Sequence, residues 1–465
     1  MRGIRFGTDG WRDVIADNYT FKNVRRVAQA YADYLKDAGA DQVVVGFDTR
    51  FLSDRFARAA AEVLAANGLL ARLAKRVTPT PVTSFAVKYF GADGGVMITA
   101  SHNPPEYNGF KLKGAYGGSA TPKIVAEVEA RLDKNPPATF EPNQHALEPF
   151  DVRTPYYEHL MGLLDLEALK SHEGVLYHDA MGGAGGGWIS GFAKKAKLKI
   201  EVRELHAVPH PLFYGVNPEP IPKNLTTLMA VMQNEADPTF AAVTDGDADR
   251  IGAVLAGGRY FNSHQIFAVL LKHLVRKGLK GRVIKTFSVS KVIDLLAAKL
   301  GLEVLTTPVG FKYITDEFLK GDVLIGGEES GGIGVAGHLP ERDGILNALL
   351  LLESVAVTGK SLAEQFAEIE AEVGYKHAFD RLDLRLVDNA AKDAAMARAK
   401  DPVPLAGRQV TEVETLDGVK WHLGEDAWVL FRPSGTEPVL RIYAEGPTAE
   451  EVAKILAEAK KAIGL

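Results

Sequence analysis

Residues 22–68 read KNVRRVAQAYADYLKDAGADQVVVGFDTRFLSDRFARAAAEVLAANG, and this stretch decides the fold class. Its first part, 22–37, spaces Val24, Val27, Ala28, Tyr31 and Leu35 along one face of a helix, with Gly39 just beyond as a stop. QVVVGFDT (42–49) is a short β-branched run of the kind a buried strand shows. DRFARAAAEVLAANG then returns to helical spacing. The same strand–loop–helix alternation continues through most of the chain and predicts layered α/β domains. Strands are expected to end at Thr49, Thr99, His178, Thr244, Thr286 and Ile325, most running into polar or Gly-rich loops. Ligands of open α/β sheets bind beyond the carboxyl ends of strands, so those loops are where chemistry is sought.

At roughly 100–200 residues per domain, the 465 residues make three or four domains. KNPPATFEPNQ (134–144) carries three prolines and reads as a linker; a second break falls at Val373–Phe379. The last segment offers a strand, VLRIYAE (439–445), and a helix opened by Thr448 with Glu451 three residues on, a capping box. Lys plus Arg total 54 against 59 Asp plus Glu, a net charge of −5, which argues against a general nucleic-acid partner. The absence of cysteine excludes disulfides, zinc thiolates and a thiol nucleophile. The opening MRGIRFGTDG has no apolar core of a signal peptide, and the longest apolar run, Ile345–Leu352, falls short of a membrane span. A cytoplasmic protein without a membrane partner is expected.

Four loops carry chemistry. TASHNP (99–104) places Ser101 where a strand ends; it is not the G-x-S-x-G elbow, and its plain alternative is an Asn-Pro turn. DGDADR (245–250) sets Asp245, Asp247 and Asp249 at spacing two. Like charges this close repel unless a cation holds them, and oxygen-only ligands suit a hard cation such as Mg²⁺. An EF-hand is excluded, because its sixth and twelfth positions would be Arg250 and Ala256 instead of Gly and Glu. GGEESGG (326–332) combines close-approach glycines with Glu328 and Ser330, a pair suited to sugar hydroxyls, or else forms a simple turn. RPSGTEP (432–438) joins Arg432, Ser434, Gly435 and Thr436 in a nest suited to phosphate, or else a surface turn. Two glycine patterns are set aside. Gly332-x-Gly334-x-x-Gly337 lacks the later acidic residue of a dinucleotide fingerprint, and HLPERDG after it is a poor helix opening. GGAGGG (182–187) lacks the Lys-[Ser/Thr] of a P-loop.

In this order and spacing the motifs resemble the α-D-phosphohexomutase family along the whole chain: GTDGWR (7–12), TASHNPPEYNGFK (99–111), DGDADR, TPVGFKYI (307–314), GEESGG (327–332) and RPSGTEP. The resemblance implies four domains around a central cleft, three α/β mixed-sheet domains (1–145, 146–252, 253–373) and a smaller α+β domain (374–465). It implies that Ser101 carries a phosphoryl group and that Asp245, Asp247 and Asp249 bind Mg²⁺ with a phosphate oxygen on Ser101. Arg12, His102, Lys111 and Arg250 match the reacting centre, and Glu328 and Ser330 the sugar contacts. Gly310 and Lys312 lie in the TPVG loop, where Lys312 is placed to reach a phosphate. Arg432, Ser434, Gly435 and Thr436 match the grip on the phosphate not being transferred. Lys111 is either the general acid/base, with like-charged Arg12 favouring its neutral form, or an electrostatic clamp.

The implied reaction interconverts hexose 1-phosphate and hexose 6-phosphate through phosphoserine and a hexose 1,6-bisphosphate. TPVGFKYI and GEESGG are most similar to glucose-phosphate members, with glucose 1,6-bisphosphate as activator and intermediate. Members that also take mannose more often carry histidine where this chain has Gly332. Phosphomannomutase or dual specificity is the alternative, then phosphoglucosamine mutase or a metal-dependent sugar phosphatase. The partners implied are small hexose phosphates; oligomeric state is not legible.

Overall fold

A computed structural model describes residues 3–7, 9–143, 145–435 and 438–465. The run read as a buried strand is the strand Gln42–Phe47, buried from Val43 onward. It pairs in parallel with Leu70–Ala74 on one side and Gly94–Ile98 on the other. Tyr107–Gly114 then joins Gly94–Ile98 antiparallel, and Trp11–Val14 joins that strand antiparallel in turn. Leu147–Phe150 and the short Gly118–Ser119 complete a seven-stranded mixed sheet. The expected helix runs Phe21–Asp37, capped by Thr20, which accepts from the Asn23 amide; Val24, Val27, Ala28, Tyr31 and Leu35 are all buried.

A second sheet of five strands runs in the order Arg259–Phe261, Ile251–Leu255, Phe240–Thr244, Val175–Asp179, Glu201–Leu205. Its central strands are parallel, and Ile251–Leu255 returns antiparallel directly after DGDADR. Farther along, Val323–Gly327 pairs antiparallel with Ile333–Val335, so Glu328–Gly332 is the turn between them. The helix Gly344–Thr358 follows, buried from Gly344 through Val355.

The chain divides into two compact units: residues up to Arg282 with Gly310–Gln365, and Val283–Val309 with Phe366–Leu465. The second unit holds a parallel pairing of Val283–Thr286 with Val304–Thr307. It also holds a five-stranded antiparallel sheet, ordered Ala378–Arg385, Val439–Gly446, Trp428–Pro433, Val419–His422, Glu412–Glu414. Trp421, Val429, Phe431, Leu440 and Ile442 pack there against Ile455 and Ala459 of the terminal helix Ala449–Ala462. Thr448 caps that helix by accepting from the Glu451 amide. Three α/β mixed-sheet domains and a C-terminal α+β domain are the architecture the family resemblance implied, and the layered α/β units are what the alternation predicted.

Several boundaries move. The strand expected to reach Thr49 stops at Phe47, because Asp48 turns away: its Oδ1 accepts from the Arg50 amide and the Ser53 hydroxyl. Strands expected to end at Thr99, His178 and Ile325 end at Ile98, Asp179 and Gly327. HLPERDG is a sound helix opening after all, since Asp343 Oδ1 accepts from the Ile345 and Leu346 amides at 3.0 and 2.9 Å. No single helix among the described residues is long and apolar enough to cross a membrane.

Candidate active site

The first unit brings Ser101 and the acidic loop together. Ser101 lies just past the strand Gly94–Ile98 with φ +52°, left-handed backbone that a serine adopts only when held there. The holding is done by Arg50, whose guanidinium is buried. Its Nη1 donates to the carbonyls of Pro104 (2.7 Å) and Tyr107 (2.9 Å), and its Nη2 to those of Ser101 and Asn103 (both 2.7 Å). The Ser101 amide donates to Thr99 Oγ1 at 2.9 Å. From the opposite side, Gly246 approaches so closely that a Cβ there would sit 2.5 Å from the Ser101 carbonyl oxygen. The GGAGGG loop buttresses this contact, Ala184 donating its amide to the Gly246 carbonyl at 2.9 Å.

Ser101 Oγ donates to Asp245 Oδ2 at 2.8 Å. The other oxygen of Asp245 accepts from the Asp249 and Arg250 amides, both at 3.1 Å, which curls the loop and points its carboxylates inward. Asp245, Asp247 and Asp249 are fully buried, and one oxygen of each lies within 4.8 Å of the others. Asp247 Oδ2 accepts from Lys111 Nζ (2.7 Å) and Thr80 Oγ1 (2.5 Å). Asp249 Oδ2 lies 3.0 Å from Lys111 Nζ and 2.8 Å from Arg342 Nη2. The remaining oxygens, Asp247 Oδ1 and Asp249 Oδ1, are buried and have no hydrogen-bond partner among the described residues. A buried carboxylate oxygen left bare is costly, and two of them beside a third carboxylate fit a hard divalent cation.

The charges follow from this packing. Burial, then repulsion from Asp247 and Asp249, pushes Asp245 well above the ordinary carboxylate range. Burial opposes ionisation of Asp247 most strongly, but Lys111, Thr80 and Arg342 together outweigh it and hold that carboxyl well below the ordinary range. Lys111 corrects an expectation. Burial does favour its neutral form, but Asp247, Asp249 and Asp9 together hold the ammonium well above its usual value, and its like-charged neighbour is Arg342, not Arg12. A cation shared by Asp247 and Asp249 would weaken two of those three attractions.

The other residues singled out from the sequence belong to both units. Arg12, on Trp11–Val14, donates to Asn103 Oδ1 at 2.8 Å and pairs with Asp9 at 3.4 Å, while Asp9 also lies 2.8 Å from Lys111 Nζ. His102 is half-buried on the serine loop. Arg250 Nε lies 3.9 Å from both Asp245 Oδ2 and Asp249 Oδ1. Its backbone bridges to Gly332, so the acidic loop is tied directly to the Glu328–Gly332 turn. Glu328 is buried, and desolvation pushes its carboxyl up to about 7 against the attraction of Arg342. Ser330 is half-buried on the same turn. Gly310 precedes the helix Phe311–Lys320 with φ +141°, and Lys312 Nζ sits 5.4 Å from the Tyr313 ring centre. In the second unit, Arg432 Nε donates to Asp417 Oδ2 at 2.9 Å, the Ser434 amide donates to the Val439 carbonyl at 2.8 Å, and Gly435 is exposed. Thr436 lies outside the described residues.

Sequence reasoning missed Asp9, Arg50, Thr80 and Arg342. Asp9 stands inside GTDGWR, whereas Arg342 stands in HLPERDG, which reads as a poor helix opening, and Arg50 and Thr80 stand in no motif.

Comparison with known proteins gives four consecutive matches. The phosphoglucomutase/phosphomannomutase family models for α/β/α domains I, II and III match residues 3–138, 154–258 and 262–373, and that for the C-terminal domain matches 385–462. A phosphoglucomutase/phosphomannomutase of Thermococcus kodakarensis is 31% identical over 98% of this chain and 97% of its own. A probable phosphoglucosamine mutase of Pyrococcus abyssi is 31% identical over 99% of this chain and 98% of its own. Among solved structures, a putative phosphomannomutase from Thermus thermophilus is 51% identical, with a TM-score of 0.91 covering 99% of each chain.

Proposed function

The chain belongs to the phosphoglucomutase/phosphomannomutase family, whose members are phosphohexomutases, and on that premise we propose that its substrate is glucose 1-phosphate, converted reversibly to glucose 6-phosphate. The observation that carries the reading is the 2.8 Å hydrogen bond from Ser101 Oγ to Asp245, inside a buried cluster with two bare carboxylate oxygens.

In this reading Ser101 carries a phosphoryl group at rest. A free hydroxyl of the bound sugar phosphate forms a new bond to phosphorus as the bond to Ser101 Oγ breaks. The hydroxyl proton ends on Ser101 Oγ, where it is donated to Asp245. The hexose 1,6-bisphosphate so formed, glucose 1,6-bisphosphate for the preferred sugar, then turns end for end and returns its other phosphoryl group. Phosphoryl transfer needs positioning and charge neutralisation more than covalent help. Mg²⁺ bound by Asp245, Asp247 and Asp249 would polarise the phosphoryl oxygens and offset their charge. Lys111, whose Nζ lies within 3.0 Å of Asp9, Asp247 and Asp249, is either the general acid/base or an electrostatic clamp, and a cation on the aspartates would weaken two of the three attractions that hold it protonated. Glu328 and Ser330 hold sugar hydroxyls, and Arg432, Ser434, Gly435 and Thr436 the phosphate at rest.

Preference for mannose is the second reading, supported by the description of the 51%-identical structure as a putative phosphomannomutase. Glucose and mannose differ only at the C2 hydroxyl, which a pair holding O3 and O4 does not distinguish. A coupled assay tests both, comparing glucose 1-phosphate with mannose 1-phosphate, with and without trace bisphosphate. Higher kcat/KM on glucose 1-phosphate is expected, with total loss in Ser101→Ala and an unchanged fold. Stoichiometric release of inorganic phosphate, or turnover by Ser101→Ala, would sink the reading.

A further inference from the structure

The strand that delivers the acidic loop is held at its end by a row of polar side chains. His178 lies on Val175–Asp179, opposite Glu204 on one side and Ala242 on the other, and is fully buried. Side chains two apart on a strand share a face, so Glu204, His178 and Thr244 stand side by side across three strands. His178 Nδ1 is 3.1 Å from Glu204 Oε1, and its Nε2 is 3.1 Å from Thr244 Oγ1. Glu204 also accepts from the Gly187 amide at 2.9 Å and the Ser190 hydroxyl at 2.7 Å. Burial opposes its ionisation, but His178, Ser190 and the Gly187 amide together hold the carboxyl below its ordinary value. A carboxylate only accepts, so Nδ1 carries the proton facing it, and Nε2 of the neutral ring accepts from the Thr244 hydroxyl.

Carboxylate, imidazole and hydroxyl in that order make up a hydrolase triad, and the packing excludes that use. Thr244 is fully buried, and a Cβ on Gly185 would lie 2.4 Å from its Oγ1, which leaves a substrate carbonyl no access. Gly185 has no left-handed backbone angle, so glycine there is a matter of room. The GGAGGG loop thus closes over the hydroxyl just as Ala184 closes over Gly246. Where the backbone pairing stops shows what the row of side chains does. Phe240–Thr244 runs in register with Val175–Asp179 only as far as Val243 opposite Asp179. Thr244 is the first residue beyond, paired with Ile251 on its other side, and Asp245 follows it. His178 therefore carries the attachment one residue farther, through a side chain, to the residue before Asp245.

We propose that His178 is a positioning residue for the cation site: borne by Glu204, its imidazole fixes the Thr244 hydroxyl and so the direction in which Asp245 leaves the strand. The proposal rests on the reading that Asp245, Asp247 and Asp249 bind a divalent cation. Asp245 is the carboxylate most exposed to such control. One of its oxygens holds the Asp249 and Arg250 amides, and the other receives Ser101 Oγ. A rotation of its backbone would move both at once, and with them the other two carboxylates.

The test follows Mg²⁺ binding to the full-length protein by isothermal titration calorimetry and, separately, thermal unfolding in EDTA. His178→Leu and Thr244→Val are each expected to raise the Kd for Mg²⁺ about tenfold. Each should also lower the melting temperature, since each leaves a buried polar partner bare. Thr244→Ser, which keeps the hydroxyl, should bind as wild type does. The double variant separates positioning from packing. It removes both polar partners, so its melting temperature should rise above that of either single variant. Its Kd should stay raised about tenfold and go no higher, because both substitutions break the same bond. A merely structural role would have the Kd recover along with the melting temperature. That recovery, or His178→Leu binding Mg²⁺ as tightly as wild type, overturns the proposal. Should His178→Leu not fold, Thr244→Val decides: an unchanged Kd overturns the proposal, and a raised Kd restored in Thr244→Ser upholds it. Wild type taking up no Mg²⁺ would sink the cation reading itself; wild type and variants binding alike would sink this inference alone.

Discussion

Replacing Arg50 by lysine keeps the charge and removes the geometry, which makes it a direct probe of how Ser101 is held. The guanidinium donates from two nitrogens to four carbonyls of the loop Ser101–Tyr107, at 2.7–2.9 Å, with Asp48 Oδ2 3.2 Å from Nε and the Phe213 ring 4.8 Å away. A lysine ammonium has three donors on one atom and cannot span all four acceptors. At least one carbonyl would lose its partner in a buried setting, at about 1–3 kcal/mol. The left-handed backbone at Ser101, itself worth about 1–2 kcal/mol of strain, would then be free to relax. A stability of about 5–15 kcal/mol for a typical domain leaves the variant folded but with this loop displaced. A shift of about 1 Å at a reacting oxygen costs on the order of 100-fold in rate. Urea unfolding should therefore show the loss in stability, and the coupled assay should show kcat falling about 100-fold with KM changed far less. Turnover within about threefold of wild type alongside the full loss of stability would refute the idea that this clamp places the serine.

Two further outcomes follow from the charges. Asn at position 245 keeps the oxygen that accepts from the Asp249 and Arg250 amides but relieves repulsion among three buried carboxylates. Asp245→Asn should therefore melt no lower than wild type without divalent cations. It should lose the Mg²⁺-dependent stabilisation, about 2.7 kcal/mol at a hundredfold excess over Kd, that wild type shows in a thermal shift assay with EDTA as reference; a retained shift would count against the site. Glu328 gives a pH signature: its carboxyl is raised from 4.5 to about 7 by burial, so the folded state binds a proton that the unfolded state has already released. Its contribution to stability is complete below pH 4.5, declines as pH rises to about 7 and is flat above, with an amplitude of about 3 kcal/mol. Glu328→Gln should remove that decline from urea titrations across the range, and an unchanged slope would show that Glu328 does not titrate there.

What the sequence disclosed and what it withheld divide by distance along the chain. The buried strand at 42–47, the helix before it and the chemistry of DGDADR are local, set by side-chain periodicity and by three carboxylates too close to coexist unaided. Arg342 reaches Asp9 across 333 residues, and Lys113 reaches Glu341 across 228. In a linear reading each of these is a charged residue in a polar stretch, indistinguishable from one facing solvent. Lys111 shows the cost of that blindness: its nearest cation in sequence reasoning was Arg12, whereas the fold surrounds it with Asp9, Asp247 and Asp249.

The net charge of −5 is equally silent, because the quantity that governs the site is a local sum. Around Ser101 the fold gathers Asp9, Asp245, Asp247 and Asp249 against Arg12, Lys111, Arg250 and Arg342, so the side chains nearly cancel one another. In the proposed reaction a phosphoryl group on Ser101 would add about −1.5 to −2, and a hexose phosphate would add a similar charge again. Nothing among these eight groups is left over to balance it. The two bare oxygens of Asp247 and Asp249 therefore fit one half of a charge pair whose other half is a divalent cation.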